Sequence, residues 1–408
     1  MKQRVLNKLL GEVEVNRSLL LLLSVGGLYA LAIALSQTFV NVYIWRQSGK
    51  FFDIGLYHLG IVIMQPLTFL IAGKWTKKID RVVVLRLGVI FLSVFFFTVL
   101  GLGEKTSEHL LLLGGLLGIG YGFYWLAFNV LTFEITEPDT RDFFNGFLGL
   151  LTSFAGMIGP FTAGLFITKL KANIGYKAIF SASLTLFIIA VILSLFIERR
   201  EVSGSYSLKP IFLERQKNKA WRNILHAHFF QGWRDGTFAF ILTVWIYVTT
   251  KSEFALGIYG LVTSGISLIV YYIATRAIAP VHRKKAIFIG GLMLYFATFI
   301  IVTKLTFTKI IMYGVIISIA YPILLVPYLS ITYDVIGKSY MAGKMRVEYI
   351  VVRELFLNLG RVTSVIAFLF TIRFFNEISG IPILLLVLGI GHFFIYFCVR
   401  NIEVNQLM

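Results

Sequence analysis

Long apolar runs alternate with short polar breaks along almost the whole chain. Runs of membrane-spanning length fall near 19–43, 52–73, 82–103, 109–133, 143–168 and 174–197. After a polar stretch they resume near 224–249, 254–279, 285–304, 309–333, 347–372 and 379–400. About 20 apolar residues in a helix cross the core of a bilayer. Lipid offers an unpaired backbone group no partner, so each run predicts a helix. The pattern therefore predicts an all-α membrane protein with twelve transmembrane helices. The one long break, ERREVSGSYSLKPIFLERQKNKAW, divides the chain into residues 1–197, a linker 198–222, and residues 223–408. The two parts echo each other. Leu131-Thr132-Phe133-Glu134 closes span 4, and Ile331-Thr332-Tyr333-Asp334 closes span 10. Two pseudo-repeated six-helix bundles are the expected build, one that recurs in transporters with the site at the repeat interface.

Composition fits that reading: 58% of residues are hydrophobic and 14% charged, where a soluble chain carries roughly a quarter charged. The formal charge of +18 does not point to nucleic acid, because the basic residues sit in short loops between spans. Their excess falls at Lys2, Arg4 and Lys8, at Lys74, Lys77, Lys78 and Arg81, in the 198–222 linker, and at Arg283, Lys284 and Lys285. That bias predicts both termini in the cytoplasm and a multi-pass protein of the cell membrane. Ala30-Leu31-Ala32 looks like a signal-peptidase site, but the apolar run from Leu19 to Ile44 exceeds a signal sequence and reads as a retained first span. Val5, Leu9 and Val13 fall along one side of the first residues, which are expected on the membrane surface.

Other chemistries find no support. The single cysteine, Cys398, excludes an intramolecular disulfide and a cysteine metal cluster. His226 and His228 are two apart and nearly opposite on a helix. Gly118, Gly120 and Gly122 lack the strand and acidic partner of a nucleotide site and read as packing glycines; there is also no Walker A sequence. No nucleophile–base pair is legible, so no enzyme, metal or cofactor is expected.

Charges inside the spans carry the functional signal. Span 11, KMRVEYIVVRELFLNLGRVTSVIAFLFTIR, is interrupted by Arg353, Glu354 and Arg361. Glu354, Asn358 and Arg361 share one helix face at i, i+4 and i+7. A charge at the middle of a membrane helix costs roughly 2.5–3.5 kcal/mol on insertion scales, so it faces a protein interior or a watery cavity. Span 7 adds Arg234 and Asp235, about 100° apart around the helix and so in need of separate partners. Arg361, Glu354, Arg234 and Asp235 are expected to form a four-charge cluster at mid-depth. Either carboxylate could carry a coupling proton, and the arginines suit an anionic or zwitterionic cargo. A structural ion pair between helices is the alternative.

The loop after span 2 reads Gly73-Lys74-Trp75-Thr76-Lys77-Lys78-Ile79-Asp80-Arg81, and span 5 carries Ala155, Gly159-Pro160 and Ala163-Gly164. With twelve spans in two halves, these stretches resemble the major facilitator superfamily, and the chain is similar to facilitators of Gram-positive bacteria. Gly73, Lys78 and Arg81 fit the family's loop pattern in kind, whereas Lys77 occupies its aspartate position and Asp80 a glycine position. The Gly159-Pro160 stretch is similar to a family motif associated with exporters, and its small residues also suit a close helix crossing. The resemblance implies that spans 1, 4, 7 and 10 line a central cavity, which adds Gln37, Asn41, Trp125, Asn129, Tyr321 and Tyr328 to the candidates. Glu134 and Asp334 are expected to act as gate contacts with Arg141, Arg346 or the basic loops.

The expected function is secondary active transport of a small organic solute by alternating access, driven by protons, with export favoured by span 5. A monomer in the lipid bilayer, without nucleic acid, is the expected working form. A membrane scaffold that kept the fold and lost transport is the competing reading, and the altered loop after span 2 favours it.

Overall fold

The computed structural model describes residues 17–135, 138–170, 172–198, 205–303 and 305–403. The stripe of Val5, Leu9 and Val13 lies outside them. The described chain is helical throughout, as backbone in lipid requires. Six long helices form the first part: α1 (Arg17–Ser48), α2 (Phe51–Lys78), α3 (Arg81–Leu102), α4 (Leu110–Ile135), α5 (Pro138–Lys169) and α6 (Ala172–Leu195). A short linker helix, Lys209–Lys217, leads into α7 (Lys219–Thr250), α8 (Glu253–Ala277), α9 (Arg283–Ile301), α10 (Phe307–Lys338) and α11 (Arg346–Phe374). The last span, α12 (Glu377–Val399), breaks once between Gly389 and Gly391. The fold expectation holds. Of the helices α1 to α12, all except α7 are long and apolar enough to cross a membrane. Helix α7 falls short because His226, His228, Gln231, Arg234 and Asp235 dilute it, yet His228 and Arg234 are buried among its neighbours. Several helices outrun their apolar runs by a turn or more, since a helix need not stop where the hydrocarbon does.

Side-chain caps start the helices where polar residues remain. Asp80 accepts from the Val82 amide, Asn218 from Trp221, Ser252 from Ala255, and Asn376 from Ile378. Helices of the first part then pack mainly on one another: α1 against α5 and α6, α4 against α2 and α3. Those of the second part do likewise, α7 against α11 and α12, α10 against α8 and α9. The two parts meet mainly along two seams, α5 with α8 and α2 with α11.

Glycines make the closest crossings, because without a hydrophobic drive between helices in lipid it is close backbone approach that holds them. Gly118 and Gly122 of α4 face α2, while Gly120 faces Leu92 of α3. Gly232 and Gly236 of α7 lie on the backbone of Leu357 and Arg361, and Gly360 returns the contact against Phe229 and Trp233. One turn on, the Thr237 amide donates to Ser364 Oγ at 3.1 Å, and the two hydroxyls sit 2.9 Å apart. Gly360→Leu is therefore expected to split α7 from α11, since the new side chain would strike the Phe229 carbonyl. A melting temperature and gel-filtration profile matching the parent would refute that.

Candidate functional site

The seam between α7 and α11 forms one wall of a cavity of about 680 Å³ enclosed by α1, α2, α4, α5, α7, α10 and α11. Its lining is polarised. Asp235 of α7 and Arg353, Glu354 and Arg361 of α11 give one charged wall. Opposite, α1 and α4 give an aromatic wall of Tyr29, Tyr121, Tyr124, Trp125 and Phe128. Tyr29 and Tyr124 stack at 3.8 Å, and Trp125 meets Tyr29 edge-on at 5.4 Å. Gln37, Gln65, Asn129 and His58 add polar groups at the margins.

The charged wall differs in its pairing from the expected four-charge cluster. Glu354 is bound by its neighbour Arg353, whose Nη2 donates at 2.6 Å. The stems are long enough to overcome the 100° offset of adjacent positions. Asp235 lies 3.2 Å from His392 Nε2 on α12 and 3.8 Å from Arg234 Nη1. Arg234 itself turns behind the wall, donating to the Tyr313 hydroxyl at 3.1 Å with its guanidinium 4.4 Å above the Phe238 ring. Arg361 faces the cavity with one hydrogen bond, to Asn358 Oδ1 at 3.4 Å. It lies within electrostatic reach of Asp235 and, across the cavity, of Tyr121.

The other candidates separate into groups. Gln37, Trp125 and Asn129 line the cavity. Asn41 sits beyond it, donating to Thr243 Oγ1 at 3.3 Å while its carbonyl oxygen lies 3.0 Å from His58 Nε2. Tyr328 is fully buried against His228, and Tyr321 packs on His392. Both tyrosines stand behind the wall as packing. Gly159 crosses α1 at Ala34 and Leu35, while Pro160 abuts Gly257 and Gly260 of α8 in the other half.

Closures cross between the halves at both ends. At the end away from the termini, Arg46 of α1 pairs with Glu253 of α8 at 2.7 Å, and the Tyr176 hydroxyl donates to the same oxygen. At the end carrying the termini, Lys77 of α2 pairs with Glu348 of α11 at 2.6 Å. The Lys77 ammonium also donates to the carbonyls of Lys344 and Ser205. The Ser207 amide donates to Glu348, so the linker is drawn into the contact. Gly73 adjoins the Tyr206 ring of the linker, Lys78 is exposed, and Asp80 serves as the α3 cap. Asp334 pairs at 2.8 Å with Arg283, the first residue of α9. Glu134 and Arg141 have side chains outside the described residues, and Arg81 and Arg346 each have partners. Reasoning from sequence missed His392, Glu348, Arg46 and Glu253; the last three are charges at helix ends, where loop chemistry masked them.

A bundle of spanning helices around a polarised cavity, closed across its halves at both ends, defines a membrane protein of the transporter class. The chain belongs to the Major Facilitator Superfamily, whose pattern it matches over residues 17–363. It is 56% identical over 401 residues to the uncharacterised protein YqgE of Bacillus subtilis, covering 98% of this chain and 93% of that one. It is 57% identical over 205 residues to an uncharacterised protein of the sodM 3' region of Geobacillus stearothermophilus, covering 50% of this chain and 96% of that one. In fold it is similar to the nucleoside transporter NupG, with a TM-score of 0.71, 13% identity and coverage of 95% and 100%. The human organic anion transporter MFSD10 gives 0.69 at 14% identity, covering 94% and 99%. A bacterial homologue of the iron transporter ferroportin, in an outward-facing state, gives 0.67 at 14%, covering 95% and 99%.

Proposed function

We propose that this protein is a secondary active transporter that moves a small organic solute across the cell membrane, coupled to protons. The observation that carries the reading is the cavity itself, with Asp235, Glu354 and Arg361 placed on its wall between the two halves. Charges at that depth are costly to insert. A scaffold would gain nothing from keeping them beside open space. Residues 1–197 and 223–408 rock as two bodies about the seams α5–α8 and α2–α11, with Lys77–Glu348 and Arg46–Glu253 breaking in turn. The small residues around Gly159-Pro160 sit on the first of those seams and favour export. The solved neighbours carry unlike cargoes, so the cargo has to be argued from the cavity lining.

Both termini lie in the cytoplasm on this reading, as the loop lysines and arginines require. A tag after Met408 should therefore resist impermeant label in intact cells and react after permeabilisation; labelling in intact cells would invert the topology. The function is tested with purified protein in proteoliposomes carrying an imposed pH gradient and a panel of organic solutes. Solute flux that follows the gradient and collapses with a protonophore is the expected result. Flux equal to empty liposomes across the panel would leave the scaffold reading standing.

A further inference from the structure

The lining of the cavity also discriminates among cargoes, and the inference rests on the transport reading of that same cavity. Across the charged wall and its ion-pair partners, Arg234, Arg353 and Arg361 face only two carboxylates, Asp235 and Glu354. One positive charge is left over. The pairing assigns it to a residue. Arg353 is spent on Glu354 at 2.6 Å, and Arg234 is turned away toward Tyr313 and Phe238 while still flanking Asp235. Arg361 keeps a single weak contact to an uncharged amide at 3.4 Å, and its remaining guanidinium donors open onto the cavity. A guanidinium is a planar fork that fits a carboxylate or similar oxyanion in two parallel hydrogen bonds.

The opposite wall sets the other end of the ligand. Tyr29 and Tyr124 are stacked and buried, so they act as a rigid backing. Trp125 is 38% exposed although it lines the cavity, which leaves part of its indole free to receive a flat apolar group. Stacked or edge-on aromatic pairs contribute beyond what area burial gives. The volume of about 680 Å³ suits a ligand of drug-like size.

We propose that the cavity binds a monovalent organic anion, its acidic group held by Arg361 and its aromatic or flat apolar body laid against Trp125. A cationic cargo would meet surplus positive charge and find both carboxylates already engaged. A neutral cargo would leave Arg361 desolvated without compensation when the cavity closes.

The test uses the full-length protein in nanodiscs and three probes that share one ring system: naphthoate, naphthalenemethanol and naphthylmethylamine. Naphthoate should bind at least about tenfold more tightly than the alcohol, as one charge-assisted hydrogen-bonded contact supplies. The amine should bind most weakly. Arg361→Gln should remove the preference for naphthoate over the alcohol, with naphthoate's affinity falling at least about tenfold while the alcohol's does not fall. Arg361→Lys should retain part of it, since charge survives and the fork does not. Trp125→Ala should weaken naphthoate and alcohol together, and this variant leaves every buried charge in place should Arg361→Gln fail to fold. An amine that binds as well as naphthoate, or naphthoate no tighter than the alcohol, overturns the proposal. Binding needs no gradient, so the two readings fail separately: naphthoate held tightly without any flux sinks transport alone, and proton-driven flux of a cation sinks the anion proposal alone.

Discussion

Asp235→Asn is expected to abolish gradient-driven accumulation while solute exchange across the liposome membrane persists. The substitution keeps shape and removes the carboxylate on the cavity wall whose nearest partner, His392, can itself carry a proton. Asp235 lies 3.2 Å from His392, whereas Glu354 is held at 2.6 Å by a guanidinium that never titrates. A carboxylate locked to a permanent cation is a poor site for a proton that must come and go. The pair Asp235–His392 sits between cavity and protein interior, with His392 wholly buried. Proton uptake measured alongside solute flux should drop at least about tenfold in Asp235→Asn, the scale of losing one positioned acid–base group. Exchange of labelled for unlabelled solute should stay within about twofold, because binding through Arg361 is untouched. If accumulation survives in Asp235→Asn and is lost in Glu354→Gln without loss of folded protein, the proton site belongs to α11.

That contrast marks where sequence reasoning stopped. The apolar runs identified the helices because lipid leaves a spanning backbone few alternatives. Even α7, diluted by polar residues, was legible as the apolar run near 224–249. The cost of burying charge identified the wall, since Asp235, Glu354 and Arg361 had to avoid lipid. Partner choice was not legible. Adjacent residues on a helix diverge by about 100°, so the sequence gives no sign that Arg353 pairs with Glu354, yet rotamers of two long side chains close that gap. His392 lies in the run GHFFIYF, where one histidine amid phenylalanines reads as packing. Only the three-dimensional crossing of α12 over α7 sets it beside Asp235. Likewise Lys77 looked like a defect in a loop pattern, because the partner that gives it meaning lies 271 residues away.

Lys77 and Glu348 give the second large effect. Lys77→Ala is expected to destabilise the closed arrangement of the end carrying the termini more than any loop substitution elsewhere. Glu348 is fully buried, and only one of its oxygens is bonded. Removing the lysine would strand that carboxylate, at a cost of about 3–5 kcal/mol for a broken buried pair. Three bonds from one ammonium also tie α2, α11 and the linker together, to Glu348, Lys344 and Ser205. The loss should therefore loosen a junction of three segments. Because the pair joins the two halves, the molecule has a way to relieve the strain without unfolding: this end opens and water reaches Glu348. A cysteine placed at Val347, buried beside Glu348 on α11, should accordingly react faster with a soluble maleimide in Lys77→Ala, by at least about tenfold if half the lost energy appears as opening. The background for this measurement is the Cys398→Ser variant, which removes the single native thiol. Glu348→Gln should give a smaller increase, since the amide still accepts from Lys77 and leaves no charge stranded. The exchanged pair Lys77→Glu with Glu348→Lys should restore part of the protection, although the lysine would then sit on α11 without the carbonyls of Lys344 and Ser205 arranged for it. Equal labelling rates in the parent and Lys77→Ala, at equal folded yield, would show that the pair does not hold this end closed.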